Sequence, residues 1–485
     1  MTLSGPARTF RIPSRLSFLG LAPAMKTHEP LTGVDAAWLR MDDPTNLMTI
    51  TAVLMLEDPI DIGAFKALLR ERFLGFTRFR QRVRDPDGRR DGPRWELDPH
   101  FDLDRHVRRG ALPGAAGRAE LKDRVSELMS EPLDRSKPLW HMELIEDYQG
   151  GSAVVVRLHH CIGDGIALVQ VLLSLTDEHF DPDRFPTTED ARSLIPSPIR
   201  AAWRAAKGTA AAGSRLLAEG VESLLRPSHA LHRAKQGMSL GAALSKFALL
   251  GRDADTSLRG DLRVAQRATW SGALDLTTIK RIGHAIDAKV NDVLLGAVAG
   301  ALRHYLETQG EPTDGVVVRA LIPVNLRPPA QAFELGNRFG LVYLDLPVGV
   351  DDRLERVLAV KAQMDEMKGS SEAVAAFGVL EALGHFPVEV EEQAVRFFGN
   401  KASAVMTNVP GPQEQLHIDG RRVETVMPWV PRAGRIGLGV SVFSYNGAVR
   451  LGVACDAHLI PTPDTIVEGF EAEVDRLAAE LSPER

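Results

Sequence analysis

The chain has 485 residues, 44% of them hydrophobic and 25% charged, and a net charge of −6. That composition excludes a fibrous or mostly disordered chain, and the acidic balance argues against a nucleic-acid partner. Two cysteines, Cys161 and Cys455, exclude a disulfide scaffold and a four-cysteine zinc site. At roughly 150 residues per domain the length fits two or three domains, or one large pseudo-repeated fold. The longest apolar run, Val293 to Leu302, is far short of the ~20 residues of a spanning helix.

Residues 1–28 carry Arg8, Arg11, Arg15 and Lys26 and no acid. They read as a loose terminal tail, with Met25 as an alternative start, in preference to a basic segment that touches anionic lipid. Met48 to Leu56 reads as a buried strand. Asp61 to Leu74 has helical spacing at Ile62, Phe65, Leu68, Leu69 and Phe73, with Asp61 as its N-cap. Phe79 to Val83 predicts a short strand. Seven arginines between Arg78 and Arg94 are broken or followed by Asp85, Asp87, Asp91, Glu96 and Asp98, which suits a solvated strand pair. Gly117 to Met129 predicts a helix. Trp140 to Glu146 and Ser152 to Leu158 form a predicted hairpin around Gln149-Gly150-Gly151. Its second strand runs into His159-His160-Cys161-Ile162-Gly163-Asp164-Gly165, and an apolar helix follows from Ile166 to Leu175.

Residues 186–264 are proline-punctuated with alanine-rich helical pieces. They include a basic stretch from Arg200 to Lys235 with seven Lys/Arg and two Glu. This reads as a helical linker. An α/β pattern then restarts. Helices are predicted at Asp275–Ile286, at Asn291–Leu306 with Asn291-Asp292 at its cap, and at Pro463–Leu481 with Thr462 as N-cap. Strands are predicted at Val316–Ile322, Gly340–Leu346, Ala402–Asn408, Arg422–Val430, Ile436–Ser444 and Val449–Cys455. The fold class is α/β, built of mixed α+β sheets. The divisions are a tail (1–25), a first subdomain (26–185), the linker (186–264) and a second subdomain (265–485).

The chemistry concentrates in His159-His160-x-x-x-Asp164-Gly165. A histidine at a strand end is rigidly held and is suited to proton transfer near neutral pH. Gly163 and Gly165 remove bulk where a substrate approaches the backbone. Asp164 lies four residues after His160 and can orient its ring or hold the loop. No G-x-S-x-G nucleophile elbow is present.

Together with Pro138-Leu139-Trp140, Asn291-Asp292, the blocks from Ile322 to Arg327 and from Asn408 to Pro412, Leu31 to Leu39, and Ser444-Tyr445-Asn446-Gly447, the HHxxxDG sequence resembles the bacterial wax ester synthase/diacylglycerol acyltransferase family. That family sits in the CoA-dependent acyltransferase superfamily. The matches run in family order from about residue 30 to the C-terminus.

The resemblance implies two chloramphenicol-acetyltransferase-like subdomains joined by the linker, with the HHxxxDG loop at their interface and reachable from both sides. It implies direct transfer of a long-chain acyl group from acyl-CoA, a co-substrate, with no other cofactor and no metal. The acceptor is diacylglycerol or a long-chain fatty alcohol, giving triacylglycerol or wax ester. His160 would be the general base, with His159 shaping the loop. Asp164 would be structural, paired first with Arg80 or second with Arg327. Substrate-binding candidates are Gly165, Pro138, Leu139, Trp140, Asn291, Asp292, Ser444 and Asn446, joined by Ser441; Asn291 and Asp292 read equally as helix caps. The protein is expected in the cytoplasm, peripheral to the inner face of the plasma membrane or to lipid droplets. Three other readings remain: a condensation-type enzyme fed by a carrier protein, a metallohydrolase using His160 and Asp164, and a non-catalytic lipid binder.

Overall fold

The computed structural model describes residues 28–85, 92–178, 249–327, 335–367, 372–384, 388–432 and 434–481. The tail and most of the linker, including Arg200, Arg204, Lys207, Arg215 and Arg226, lie outside those residues.

The first half contains β1 (His28–Pro30), α1 (Gly33–Arg40), β2 (Thr49–Leu56), α2 (Ile62–Leu68), β3 (Gln81–Arg84), β4 (Arg94–Leu97), α3 (Leu103–His106), β5 (Val107–Gly110), α4 (Arg118–Ser130), β6 (Trp140–Tyr148), β7 (Gly151–His159) and α5 (Gly165–Leu173). The Thr32 hydroxyl caps α1 by accepting from the Asp35 amide. Asp61 caps α2 as expected, accepting from the amides of Gly63 and Ala64. The hairpin turn places Gln149 and Gly150 at φ +53° and +85°, which suits a tight two-residue connection.

Phe79 is not in a strand: Thr77–Arg80 is a 3-10 turn and the strand begins at Gln81. The turn lets the Phe79 ring stack on Phe73 at 4.0 Å while its carbonyl accepts from the Trp140 indole at 2.8 Å. The arginines of this region are met by acids. Arg82 and Arg84 share Glu96, and Arg78 reaches Glu29 while lying 4.2 Å over the Trp95 ring.

The second half contains β8 (Gln266–Trp270), β9 (Leu274–Asp275), α6 (Leu276–Ala285), α7 (Val290–Thr308), β10 (Val318–Asn325), β11 (Phe339–Leu346), α8 (Arg353–Met367), α9 (Glu372–Leu383), α10 (Val388–Gly399), β12 (Ala404–Pro410), β13 (His417–Ile418), β14 (Arg421–Trp429), β15 (Leu438–Tyr445), β16 (Ala448–Asp456) and α11 (Asp464–Glu480). The last helix is capped by Pro463, not Thr462; Thr462 instead offers its carbonyl to the Thr465 amide at 3.2 Å.

Three sheets result. β1-β4-β3 is small. A seven-stranded sheet runs β11-β10-β12-β15-β16-β8, with β9 on β16. A six-stranded sheet runs β13-β14-β2-β7-β6-β5. Its first two strands come from the second half of the chain: β14 pairs antiparallel with β2, Trp429 opposite Thr51 and Val426 opposite Leu54. The second half therefore completes the first sheet, so a division at residue 265 does not separate the sheets.

One core packs α1 and α5 against β2 and β7, and the other packs α7 and α11 against the larger sheet. Each fully buried Leu, Val or Phe there contributes ~1.5–3 kcal/mol of transfer free energy. β7 is buried along its whole length. This rigid central strand ends at His159 and carries His160 out to the edge where the two sheets meet.

Candidate active site

His159 closes β7. Its amide donates to the Leu139 carbonyl at 3.0 Å, and its Nδ1 accepts from the Cys161 amide at 3.1 Å. The accepting Nδ1 leaves the proton on Nε2, which lies 3.8 Å from the Asp42 carboxylate. Burial pushes Asp42 up, but His159, the Met48 amide and Arg135 outweigh it and hold the carboxyl at about 2. Nε2 is buried and makes no hydrogen bond, so Nδ1 alone ties the His159 ring to the loop.

His160 is different. Its amide donates to the Met48 carbonyl at 2.7 Å and its carbonyl accepts from Asn337 Nδ2 at 2.7 Å. Its ring lies parallel to the Trp38 indole, with centroids 4.3 Å apart and planes 17° apart, and Phe339 closes in at 5.6 Å. Nδ1 has no hydrogen-bond partner. Desolvation lowers its pKa to about 4, against the opposing pull of Asp164. At neutral pH the ring is therefore an uncharged base.

Asp164 is the clasp between the halves. One oxygen accepts from the Ala167 amide at 3.0 Å and starts α5. The other accepts from Arg327 Nη2 at 2.7 Å and from the Arg338 amide at 3.0 Å. Arg327 also donates to the Gly336 carbonyl at 2.6 Å. Gly163 bridges Gly336 in parallel fashion, and Gly336 has φ +103°, a conformation that L side chains rarely adopt. Arg327 is thus the partner of Asp164. Arg80, the first candidate, sits on the 3-10 turn, and its Nε is buried without a hydrogen bond.

The other sequence candidates separate by location. Gly165 borders an apolar cavity formed with Ile50, Val156, Leu168, Thr407, Val409 and Ser441, so Gly165 and Ser441 face open space. Pro138, Leu139 and Trp140 line neither this cavity nor the second one. Leu139 supports His159 through its carbonyl, and Trp140 stacks on His106 at 4.5 Å in a buried aromatic cluster. Asp292 accepts from the Lys289 amide at 2.9 Å at the start of α7. Asn291 accepts from Asn408, tying the ND helix to the NVPGP block. Ser444 accepts from Gln413 at 3.4 Å and Asn446 donates to Gln415 at 2.8 Å, so both brace the loop before β13. Among the described residues, these line neither of the two cavities.

Sequence reasoning assigned no role to Asp35, Trp38 or Asn337. Asn337 Nδ2 donates both to the His160 carbonyl and to Asp35 Oδ1, the latter at 2.8 Å. Burial raises Asp35 to about 6, against the lowering effect of those hydrogen bonds. The block from Leu31 to Leu39 carried the signal for two of the three. A second apolar cavity lies on their side of the loop, bounded by Trp38, Met41, Leu341, Tyr343, Leu380 and Phe398 among others.

The buried His160 thus lies on a loop that Asp164 and Arg327 tie to the second half of a chloramphenicol-acetyltransferase-like fold, with one apolar cavity bordered by Gly165 and another by Trp38. The wax ester synthase/diacylglycerol acyltransferase catalytic-domain profile matches residues 31–294 and the corresponding C-terminal-domain profile matches residues 335–478. The chain belongs to that family and is an acyltransferase. A probable diacylglycerol O-acyltransferase of Mycobacterium tuberculosis is 30% identical over 463 residues, covering 93% of this chain and 96% of that one. A putative diacylglycerol O-acyltransferase of Mycobacterium bovis gives the same figures, 30% over 463 residues.

Among solved structures, the wax ester synthase/diacylglycerol acyltransferase from Marinobacter aquaeolei superposes with a TM-score of 0.64 at 21% identity, over 93% of this chain and 99% of that one. A starter condensation domain of rhizomide synthetase superposes with a TM-score of 0.57 at 15% identity, over 95% of each chain. These structural likenesses speak for the fold.

Proposed function

We infer that the protein moves a long-chain acyl group from acyl-CoA to an apolar alcohol, diacylglycerol or a fatty alcohol, with His160 as general base. The observation that carries the reading is the buried, uncharged His160 imidazole, on a loop whose Gly165 borders one apolar cavity and stacked on Trp38, which borders another. A bisubstrate reaction of two aliphatic molecules needs room for two chains and one base between them. The acceptor's hydroxyl proton passes to His160, and its oxygen bonds to the thioester carbon while the carbonyl electrons move onto oxygen. When the C–S bond breaks, the CoA thiolate takes the proton from the imidazolium. Asp164, clasped by Arg327, keeps the loop in place and favours the transient imidazolium.

The same reading places the protein at a membrane or lipid-droplet surface on the cytoplasmic side, because its acceptors reside in such phases. Among the described residues no helix is long and apolar enough to cross a membrane. The test incubates purified protein with palmitoyl-CoA and either hexadecanol or dioleoylglycerol, measuring thiol release and separating the lipid products. Wax ester or triacylglycerol formed in step with thiol supports the reading. Absence of acceptor-dependent thiol release with both alcohols overturns it.

A further inference from the structure

Trp38 has a feature that packing does not account for. Its indole is buried, yet Nε1–H has no hydrogen-bond partner. Buried indole N–H groups usually find an acceptor, and leaving one without costs stability. By contrast, the Trp140 and Trp429 indoles donate to the carbonyls of Phe79 and Thr269. Trp38 is also the residue stacked on His160, and it borders the second apolar cavity. The residue that carries this unpaired donor therefore stacks on the base and borders a space whose other walls are mostly hydrocarbon.

We propose that the Trp38 indole N–H is a catalytic hydrogen-bond donor to the thioester carbonyl oxygen as that oxygen becomes an oxyanion. The proposal rests on the acyl-transfer reading above. Two geometric points favour the carbonyl oxygen over the attacking one. An indole N–H donates, and an imidazole nitrogen accepts, in the plane of its own ring. The two rings are 17° from parallel with centroids 4.3 Å apart, so a donor in one plane and an acceptor in the other are close enough to serve two atoms of one substrate group. The tetrahedral intermediate carries two such oxygens on one carbon: the attacking oxygen, served by His160, and the former carbonyl oxygen, left for Trp38. A desolvated, prepositioned donor is also worth most where negative charge develops. A neutral ground-state oxygen would gain less from it.

Trp38→Phe keeps an aromatic ring beside His160 and removes the donor. The expected result is a fall in kcat of about 10²-fold, the scale of losing one oxyanion donor, with KM changed less than about threefold. A kcat within twofold of wild type overturns the proposal, as does an effect confined to KM, which would mean ground-state docking.

A second measurement does not depend on turnover or on that variant being active. In 15N-tryptophan-labelled His160→Ala protein, the Trp38 indole resonance, identified by its absence in the Trp38→Phe/His160→Ala double variant, is followed as palmitoyl-CoA is added. A downfield proton shift that saturates with ligand supports the donor role. An unmoved resonance in protein shown by equilibrium dialysis to bind palmitoyl-CoA overturns it. Failure of palmitoyl-CoA to bind overturns both this proposal and the acyl-CoA reading beneath it.

Discussion

Single residues divide the HHxxxDG loop into one chemical group and several supports. Burial lowers His160 to about 4 from its ordinary 6.5. The base works when neutral, so activity should persist as pH falls through 6.5 and fail only as the pH approaches the lowered value. The acid limb of kcat/KM, measured with substrates that do not titrate in that range, should therefore lie well below 6. A limb centred near 6.5 would mean a solvated imidazole in the free enzyme. Asp164 is instead a buried carboxylate paired with a buried guanidinium, that of Arg327. Arg327→Met leaves a buried carboxylate without its guanidinium, which typically costs ~3–5 kcal/mol. Arg80→Met breaks no contact with Asp164 and should cost much less. Urea denaturation of the two variants decides between these arginines; equal losses would remove Arg327 from its role as clasp.

The element that positions the base is the segment from Gly336 to Arg338 leading into β11. It bridges Gly163, offers its carbonyl to Arg327 and its amide to Asp164, and extends Asn337 to both Asp35 and the His160 carbonyl. Asn337→Ala should remove one of the two donors from each of two buried acceptors, Asp35 Oδ1 and the His160 carbonyl, at about 1 kcal/mol for each. Thermal denaturation should show a lower Tm, and kcat should fall because the His160 backbone loses one of its ties. An unchanged Tm would mean that water replaces the amide.

This segment also marks the limit of what the sequence discloses. The hairpin of β6 and β7, the Asp61 cap and the HHxxxDG loop were legible because periodicity and turn chemistry are local. The pairing of Asp164 with Arg327 spans 163 positions, and that of Asp35 with Asn337 spans 302. Nothing local ranks Arg327 above Arg80. The loan of β14 to β2 was hidden for the same reason: its alternation fits an edge in either sheet. Pro138-Leu139-Trp140 drew attention as a motif, yet it acts by packing, holding the start of β6 against the end of β7.

At the scale of the molecule, the two halves form one unit around the loop, because each contributes strands or clasps to the other. The acceptors proposed for the reaction dissolve in lipid, so the proposed function calls for contact with a lipid surface. The basic residues between Arg200 and Arg226 are the sequence's candidate for that contact, each contributing ~1 kcal/mol near an anionic surface. Flotation with anionic liposomes should weaken from low to high salt, and charge reversal of Arg200, Arg204, Lys207, Arg215 and Arg226 should abolish it. Binding indifferent to both would move the contact elsewhere.

The most direct test of the central claim, acyl transfer driven by a neutral His160, is acceptor-dependent thiol release from palmitoyl-CoA by wild type and by His160→Ala of equal Tm. Loss of the general base should lower kcat ~10²–10⁴-fold. A His160→Ala protein that releases thiol at the wild-type rate would contradict the account.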